Sequence, residues 1–399
     1  MSRSNYLEAI LTASDSERNM LLSWATGVGK SNAAISIQKR MASTKTLICV
    51  AEIPHIDNWK AEYIKHGYAE LLNSTTIICY DSLHKYTSTS YDLIINDECH
   101  HISDLRASYL DTITVKKIVN LSATVSYGEK LTLANLWGTL YEHTVSLDEA
   151  ISVGIIPPPT IYISELELDN AERTCIIQFP RSKSPTHEVE CIYPERRQFI
   201  FGELHKGALI KIKATPKEQY TFYTDQMDFY KNRYMNGGAE YDRITWLRYG
   251  SERKRAIANL KTKAIIELVK KVHGRKYICF CGSIDQAELV GEGKVIHSKL
   301  TKRQQTKILT DYQNGTINAL FAFYMLKEGV NLADIEIGII AQLDGQERSF
   351  IQKMGRALRN PVNPEVYILY FKETQDEEYL KKAISKVDLT YVKPLKLWE

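Results

Sequence analysis

Within the first 150 residues, short and nearly unbroken apolar runs alternate with longer mixed segments. The runs fall at 20–22, 46–50, 76–80, 93–96 and 118–121 and are rich in aliphatic residues. A strand buried on both faces loses its polar alternation, so these runs predict the strands of a parallel sheet. The segments between them, such as 31–41 and 58–65, predict helices, and strand–helix alternation implies right-handed crossovers. The same rhythm returns near the other end, with strands predicted at 277–281, 295–297, 319–323, 335–340 and 366–371.

Residues 152–214 break this rhythm. Three prolines in VGIIPPPT (153–160) end a helical stretch, because each removes an amide donor and biases its neighbour to extended forms. Strands are predicted at 160–168, 174–179, 189–193 and 208–214, with one short helix near 195–205. Thr215-Pro216-Lys217-Glu218 combines an N-cap Thr, Pro at the first helical position and Glu two residues later, a strong helix start. That helix should stop at Asn236-Gly237-Gly238, and a second is predicted over about 251–272. The expected organisation is a first lobe at 1–151, a mixed connector at 152–254 and a second lobe at 255–399, with no short-period repeat.

Composition narrows the class. Of 399 residues, 44% are hydrophobic and 25% charged, which suits a globular chain and excludes a disordered one. Apolar runs such as 47–51 stop far short of the ~18 residues that span a bilayer, and MSRSNYLEAI has no export-type apolar stretch. Seven cysteines with no CxxC predict reduced thiols, hence a cytoplasmic protein, with Cys279 and Cys281 as small buried apolar residues on one strand face. Net charge is only +3, but residues 1–150 hold 13 Lys and Arg against 17 Asp and Glu, leaving 38 against 31 beyond them. The later excess could face a polyanion; a solvated surface is the plainer reading.

Candidate chemistry sits at strand ends. WATGVGKS (24–31) follows an apolar strand and opens a helix, the context in which turn amides and a helix N-terminus hold phosphate. Thr26, Gly27, Val28 and Gly29 would form the turn, Lys30 would reach the β- and γ-phosphates, and Ser31 would hold Mg²⁺. Trp24 stands where the generic pattern has its first Gly. DECHH (97–101) ends another strand: Asp97 can hold Mg²⁺ and Glu98 can polarise an attacking water. A solvated acidic loop is the commoner origin of such a pair, and adjacent His100 and His101 lack a third metal ligand at suitable spacing. LSAT (121–124) closes a further strand, where Ser122 and Thr124 could report the state of the acidic pair. QKMGRALR (352–359) puts Arg356 and Arg359 on one helical face, suited to charge developing on a transferring phosphoryl group. An exposed basic helix is the plainer reading of that segment alone.

Taken in order, WATGVGKS, DECHH, LSAT, KEGVNL (327–332) and QKMGRALR resemble the motifs of the superfamily 2 helicases and translocases. CVAEIPHIDNW (49–59), CYDSLHKY (79–86) and ICFCGS (278–283) resemble the intermediate motifs, and the likeness spans about 1–151 and 255–372. Its flavour is similar to the DEAH-like branch that holds restriction motors and phage recombination or repair helicases. The resemblance implies two RecA-like parallel α/β lobes with an interlobe cleft for ATP and Mg²⁺. Gly329, Asn331, Gln352, Arg356 and Arg359 would complete the nucleotide site from the second lobe. Pro54, Ser82 and Ser283 would touch a nucleic-acid strand, with DNA expected over RNA. Replication, recombination or restriction proteins are the implied partners, and no membrane. Three positions depart from the family pattern: Tyr6 stands at an adenine-reading Gln, Val125 at a Pro and Lys353 at an Arg. An RNA remodeller, a restriction-complex motor and a non-catalytic nucleic-acid clamp are the alternatives.

In the connector, Tyr220, Tyr223, Tyr230 and Tyr234 recur at helical spacing, predicting an aromatic seam against the second lobe rather than a base-stacking surface. The basic stretch 252–263 reads equally as a phosphate contact or as a solvated helix.

Overall fold

The computed structural model describes residues 3–180, 184–193, 206–323, 335–343, 364–385 and 387–398. Helix α1 (Arg3–Ala13) precedes a first α/β unit: β1 (Asn19–Trp24), α2 (Lys30–Arg40), β2 (Thr46–Val50), α3 (Ile53–Lys65), β3 (Thr75–Cys79), β4 (Ser90–Asp97), α4 (Asp104–Asp111), β5 (Thr114–Ser122), α5 (Tyr127–Trp137), β6 (Leu140–Val145) and α6 (Leu147–Ser152). Its strands form one sheet in the order β3-β2-β4-β5-β1-β6, every pair parallel. All residues of β1 and β2 are buried, which is why both read as unbroken apolar runs.

Register in this sheet is pinned by polar residues that periodicity does not flag. Asn96 of β4 donates to Asn120 of β5 at 2.8 Å, and Asn120 donates to Asn19 Oδ1 of β1 at 3.1 Å. All three are buried. A slip in either pairing would strand their amides, so the ladder fixes which residues stand at the strand ends.

The connector contains β8 (Cys175–Pro180), β9 (His187–Ile192) and β10 (Ala208–Ala214), a three-stranded sheet with β10 central. Strand β7 (Thr160–Leu166), expected there too, instead runs parallel to β15 (Glu365–Phe371) and belongs to the second sheet. The predicted helix near 195–205 lies outside the described residues. Helix α7 (Pro216–Met235) starts with the full capping box at Thr215 and Glu218. The single helix expected over 251–272 is two, α8 (Glu240–Leu260) and α9 (Thr262–Lys271). α8 begins earlier because Asp242 accepts from the Ala239 amide and caps it, a start without the usual Ser or Thr. It breaks at Lys261, which is fully buried and bonded to Asp376 Oδ2 at 2.5 Å and to the Ala341 carbonyl at 2.6 Å.

The second unit adds β11 (Tyr277–Phe280), α10 (Ile284–Gly291), β12 (Val295–Ile296), α11 (Lys302–Gln313), β13 (Ala319–Ala322), β14 (Ile337–Ile340), β15, α12 (Gln375–Ile384) and β16 (Val392–Pro394). Its sheet order is β12-β13-β11-β14-β15-β7-β16, again all parallel. Cys279 and Cys281 are buried within it with their sulfurs 3.8 Å apart. The connector tyrosines divide their work. Tyr223 and Tyr230 pack into a core shared by α7, α8 and the small sheet, while Tyr220 faces the second lobe and accepts from the Gln375 amide at 2.9 Å. The stretch 252–263 is divided between core and surface: Arg253 is buried and donates to Thr224 and Gln375, Lys254 lies over the Tyr379 ring, and Arg255 and Lys263 are exposed. No described helix is long and apolar enough to cross a membrane.

Candidate active site

The phosphate-type loop hangs between the end of β1 at Trp24 and the start of α2 at Lys30. Gly27 and Gly29 have φ of +94° and +117°, a region that L side chains rarely adopt, so both positions need glycine. Lys30 curls back so that its Nζ donates to the Trp24 carbonyl at 2.7 Å, closing the loop on itself. Ser31 follows in the first turn of α2, where helix amides favour an anion. Arg3, outside the candidate set, braces the loop from below: its guanidinium donates to the Gly27 and Ile155 carbonyls at 3.0 and 3.1 Å.

Tyr6 does not occupy an adenine-reading position in any open sense. It is buried, its hydroxyl donates to Glu149 at 2.6 Å, and its ring packs on Trp24 and His143. The Glu149 carboxylate holds the phenol above its ordinary pKa, so it remains a donor. Trp24 donates to His143 Nδ1 at 2.9 Å, completing an aromatic plug behind the loop.

The acidic pair ends β4, which lies two strands from β1 with β5 between. Asp97 is pulled in two directions. Burial and the neighbouring Glu98 push its carboxyl upward, while the Trp59 indole, His55 and the Lys30 ammonium favour the charged form; the net direction is up. Trp59 Nε1 donates to Asp97 Oδ2 at 2.8 Å, and Tyr80 donates to the Asp97 carbonyl at 3.0 Å. Glu98 has φ +47° and ψ +58°, a left-handed conformation that a non-glycine residue holds only when its surroundings impose it. The imposing contacts are Ser122, whose hydroxyl donates to Glu98 Oε2 at 3.4 Å, and His100, whose Nδ1 lies 3.3 Å from the same oxygen. The same hydroxyl lies 2.9 Å from the Thr124 carbonyl and can give its single proton there instead, so the LSAT turn and the acidic turn compete for one donor.

The structure thus brings together Lys30, Asp97, Glu98 and Ser122 at the carboxyl ends of adjacent parallel strands, where open α/β sheets bind ligands. Pro54 is exposed at the start of α3, and Ser82 is half-buried in the short turn after β3. Ser283 is buried; its hydroxyl donates to Asn259 at 2.7 Å and accepts from the Gln286 amide at 3.0 Å. It caps α10 rather than facing a strand. Gly329, Asn331, Gln352, Arg356 and Arg359 lie outside the described residues. Sequence reasoning assigns no role to Trp59 or Arg3 and weighs His100 only as a metal ligand; the signal for Trp59 is its place at the end of the motif CVAEIPHIDNW.

The fold is shared with S. cerevisiae Dbp5 bound to RNA and ADP BeF3, at a TM-score of 0.60 and 10% identity over 98% of this chain and 89% of that one. Residues 3–127 match the family described as type III restriction enzyme, res subunit, and residues 260–361 match the helicase conserved C-terminal domain. The chain is a member of superfamily 2 of the helicases and translocases. Among curated relatives, the DNA 3'-5' translocase XPB2 of Sulfurisphaera tokodaii is 22% identical over 86% of this chain and 75% of its own. The ATP-dependent DNA helicase Fancm of Drosophila melanogaster is 31% identical over 25% of this chain, and UvrABC system protein B of Synechococcus elongatus 30% over 24%. The chain spans 7% of the former and 14% of the latter.

Proposed function

We propose that the protein is a DNA-dependent ATPase that couples hydrolysis to movement along a strand. The observation that carries this reading is the junction of the glycine turn with the half-buried carboxylates Asp97 and Glu98, the latter within reach of Ser122. The donor set suits a nucleotide with Mg²⁺: a left-handed glycine turn at a helix N-terminus for phosphate oxygens, and Ser31 with Asp97 as hard oxygen ligands. When bound, Mg²⁺ would neutralise charge developing between the β- and γ-phosphates. Lys30 would leave the Trp24 carbonyl and hold the terminal phosphates. Glu98, aimed by its strained backbone and by Ser122 and His100, would take the proton of the attacking water. Ser122 would sense whether Glu98 is so engaged, because its single hydroxyl proton goes either to Glu98 or to the LSAT turn.

From the second lobe, the reading assigns Gly329 and Asn331 to the nucleotide and Gln352, Arg356 and Arg359 to the transferring phosphoryl group. Closure of the cleft would then depend on the γ-phosphate and release on its loss. DNA is preferred over RNA because XPB2, the relative matched over most of its length, is named a DNA translocase. The DEAH-like branch and a role beside restriction, replication or recombination proteins belong to the same reading. A restriction-complex motor is the second reading, favoured by the match of residues 3–127. The test is ATP turnover with single-stranded, duplex and branched DNA and with RNA, side by side. Turnover that no nucleic acid stimulates would overturn the motor assignment.

A further inference from the structure

Trp59 has no part in the chemistry described above, yet its indole N–H is bonded to the carboxylate proposed to hold the metal. The N–H donates to Asp97 Oδ2 at 2.8 Å, and the residue is 2% exposed. An indole nitrogen is a donor only, so it selects the accepting form of the carboxyl and cannot swap roles with it. The ring itself is held. Tyr63, one turn further along α3, lies 6.3 Å away between ring centroids, and its hydroxyl bonds Gln38 of α2. Helix α3 therefore braces both halves of the candidate metal site: Asp97 through Trp59, and α2, which carries Ser31, through Tyr63. Strand β2, which delivers α3, is the neighbour of β4, which delivers Asp97, so the brace spans adjacent crossovers of one rigid sheet.

A carboxylate at a strand end can rotate about its terminal bond, and a divalent cation needs one oxygen presented in a fixed direction. Occupying Oδ2 with a buried donor leaves Oδ1 to be presented. We propose that Trp59 is a positioning residue that fixes the Asp97 carboxylate for a divalent cation, so that loss of its N–H weakens the cation's contribution to nucleotide binding. The proposal rests on the reading of Asp97 as the Mg²⁺-holding residue.

The experiment titrates MgCl₂ into the full chain with a fluorescent non-hydrolysable ATP analogue. In Trp59→Phe, binding in EDTA should stay within about twofold of wild type, whereas the half-saturating Mg²⁺ concentration should rise by roughly tenfold, the usual scale for partners of metal ligands. Trp59→His, which restores a ring N–H, should recover part of the shift. Trp398→Phe, at an exposed indole in the last segment, should titrate as wild type. If Phe unfolds the chain, benzothienylalanine at position 59 keeps the bicyclic shape and lacks only the N–H. An unchanged Mg²⁺ midpoint in either variant overturns the role of Trp59. Lys30→Ala, run in parallel, separates the two failures: wild-type nucleotide binding indifferent to both Mg²⁺ and Lys30 would refute the nucleotide site itself.

Discussion

At the residue scale, the acidic turn divides its labour by environment. Asp97 is half-buried and held by an indole, whereas Glu98 sits in a left-handed backbone and is reached by a hydroxyl and an imidazole. Glu98→Gln should keep nucleotide binding and lose turnover, because the amide retains the shape but accepts no proton; Lys30→Ala should lose both. Single-turnover hydrolysis beside equilibrium binding checks this, and normal turnover in Glu98→Gln would remove Glu98 from the mechanism. A second residue-scale expectation concerns Asp92, in the same strand. Its carboxylate accepts from the Thr44 amide and hydroxyl at 2.9 and 2.8 Å and pairs with Lys116 at 2.7 Å. Those partners, Lys116 first, hold its pKa well below the usual carboxylate range. A depressed acid stabilises the fold above its unfolded pKa, near 4, and that contribution fades as pH falls through the folded value. Asp92→Asn should therefore melt lower than wild type at pH 7, and the difference should shrink progressively below about pH 4. An equal difference at pH 3 and pH 7 would show that packing, not charge, is responsible.

At the element scale, two buried polar devices set the geometry. The Asn96–Asn120–Asn19 ladder holds β4, β5 and β1 in register, and those strands deliver Asp97, Ser122 and the phosphate-type loop. Asn120→Leu leaves the amide and carbonyl partners of two strands unsatisfied and should cost about 1–3 kcal/mol, read by urea unfolding. The other device is Lys261, buried at the break between α8 and α9 against Asp376 of α12. Removing one member of a buried pair leaves the other charge alone. Lys261→Met or Asp376→Leu singly should cost roughly 3–5 kcal/mol, while the double variant should recover much of the loss. Additive losses would mean the two groups do not interact. Burial lowers the Lys261 pKa and Asp376 opposes that shift, consistent with a pair held together at neutral pH.

At the scale of the whole molecule, two parallel sheets are joined through β7, which leaves the first lobe and becomes an inner strand of the second. Motion of one lobe against the other must then pass through 153–160, the proline-rich entry to that strand. DNA should stimulate ATP turnover more than RNA of equal length, with little dependence on base sequence. The stimulation should fall steeply between about 50 and 200 mM salt as bound phosphates recapture counterions. A stronger response to RNA across the same series would move the substrate to the RNA class and leave the ATPase mechanism standing.

The sequence by itself determined the strands that are buried on both faces, because unbroken apolar runs too short to span a bilayer find their place inside a parallel sheet. It also determined the glycine turn and the acidic turn, whose residue types follow from backbone conformation and charge at a strand end. It was less informative wherever a residue's partner is distant along the chain. Thr160–Leu166 has the same local pattern in a connector as in a lobe, and only pairing with Glu365–Phe371 placed it. The break at Lys261 is invisible in a run of good helix formers, since it arises from a carboxylate 115 positions away in Asp376. Ser283 lies in a motif resembling a strand contact, yet it is closed off by Asn259 and Gln286. Trp59 reads as an ordinary core aromatic until β2 and β4 are set side by side. Local composition encodes burial and backbone preference; which polar atom meets which is decided by the order of strands in the sheet.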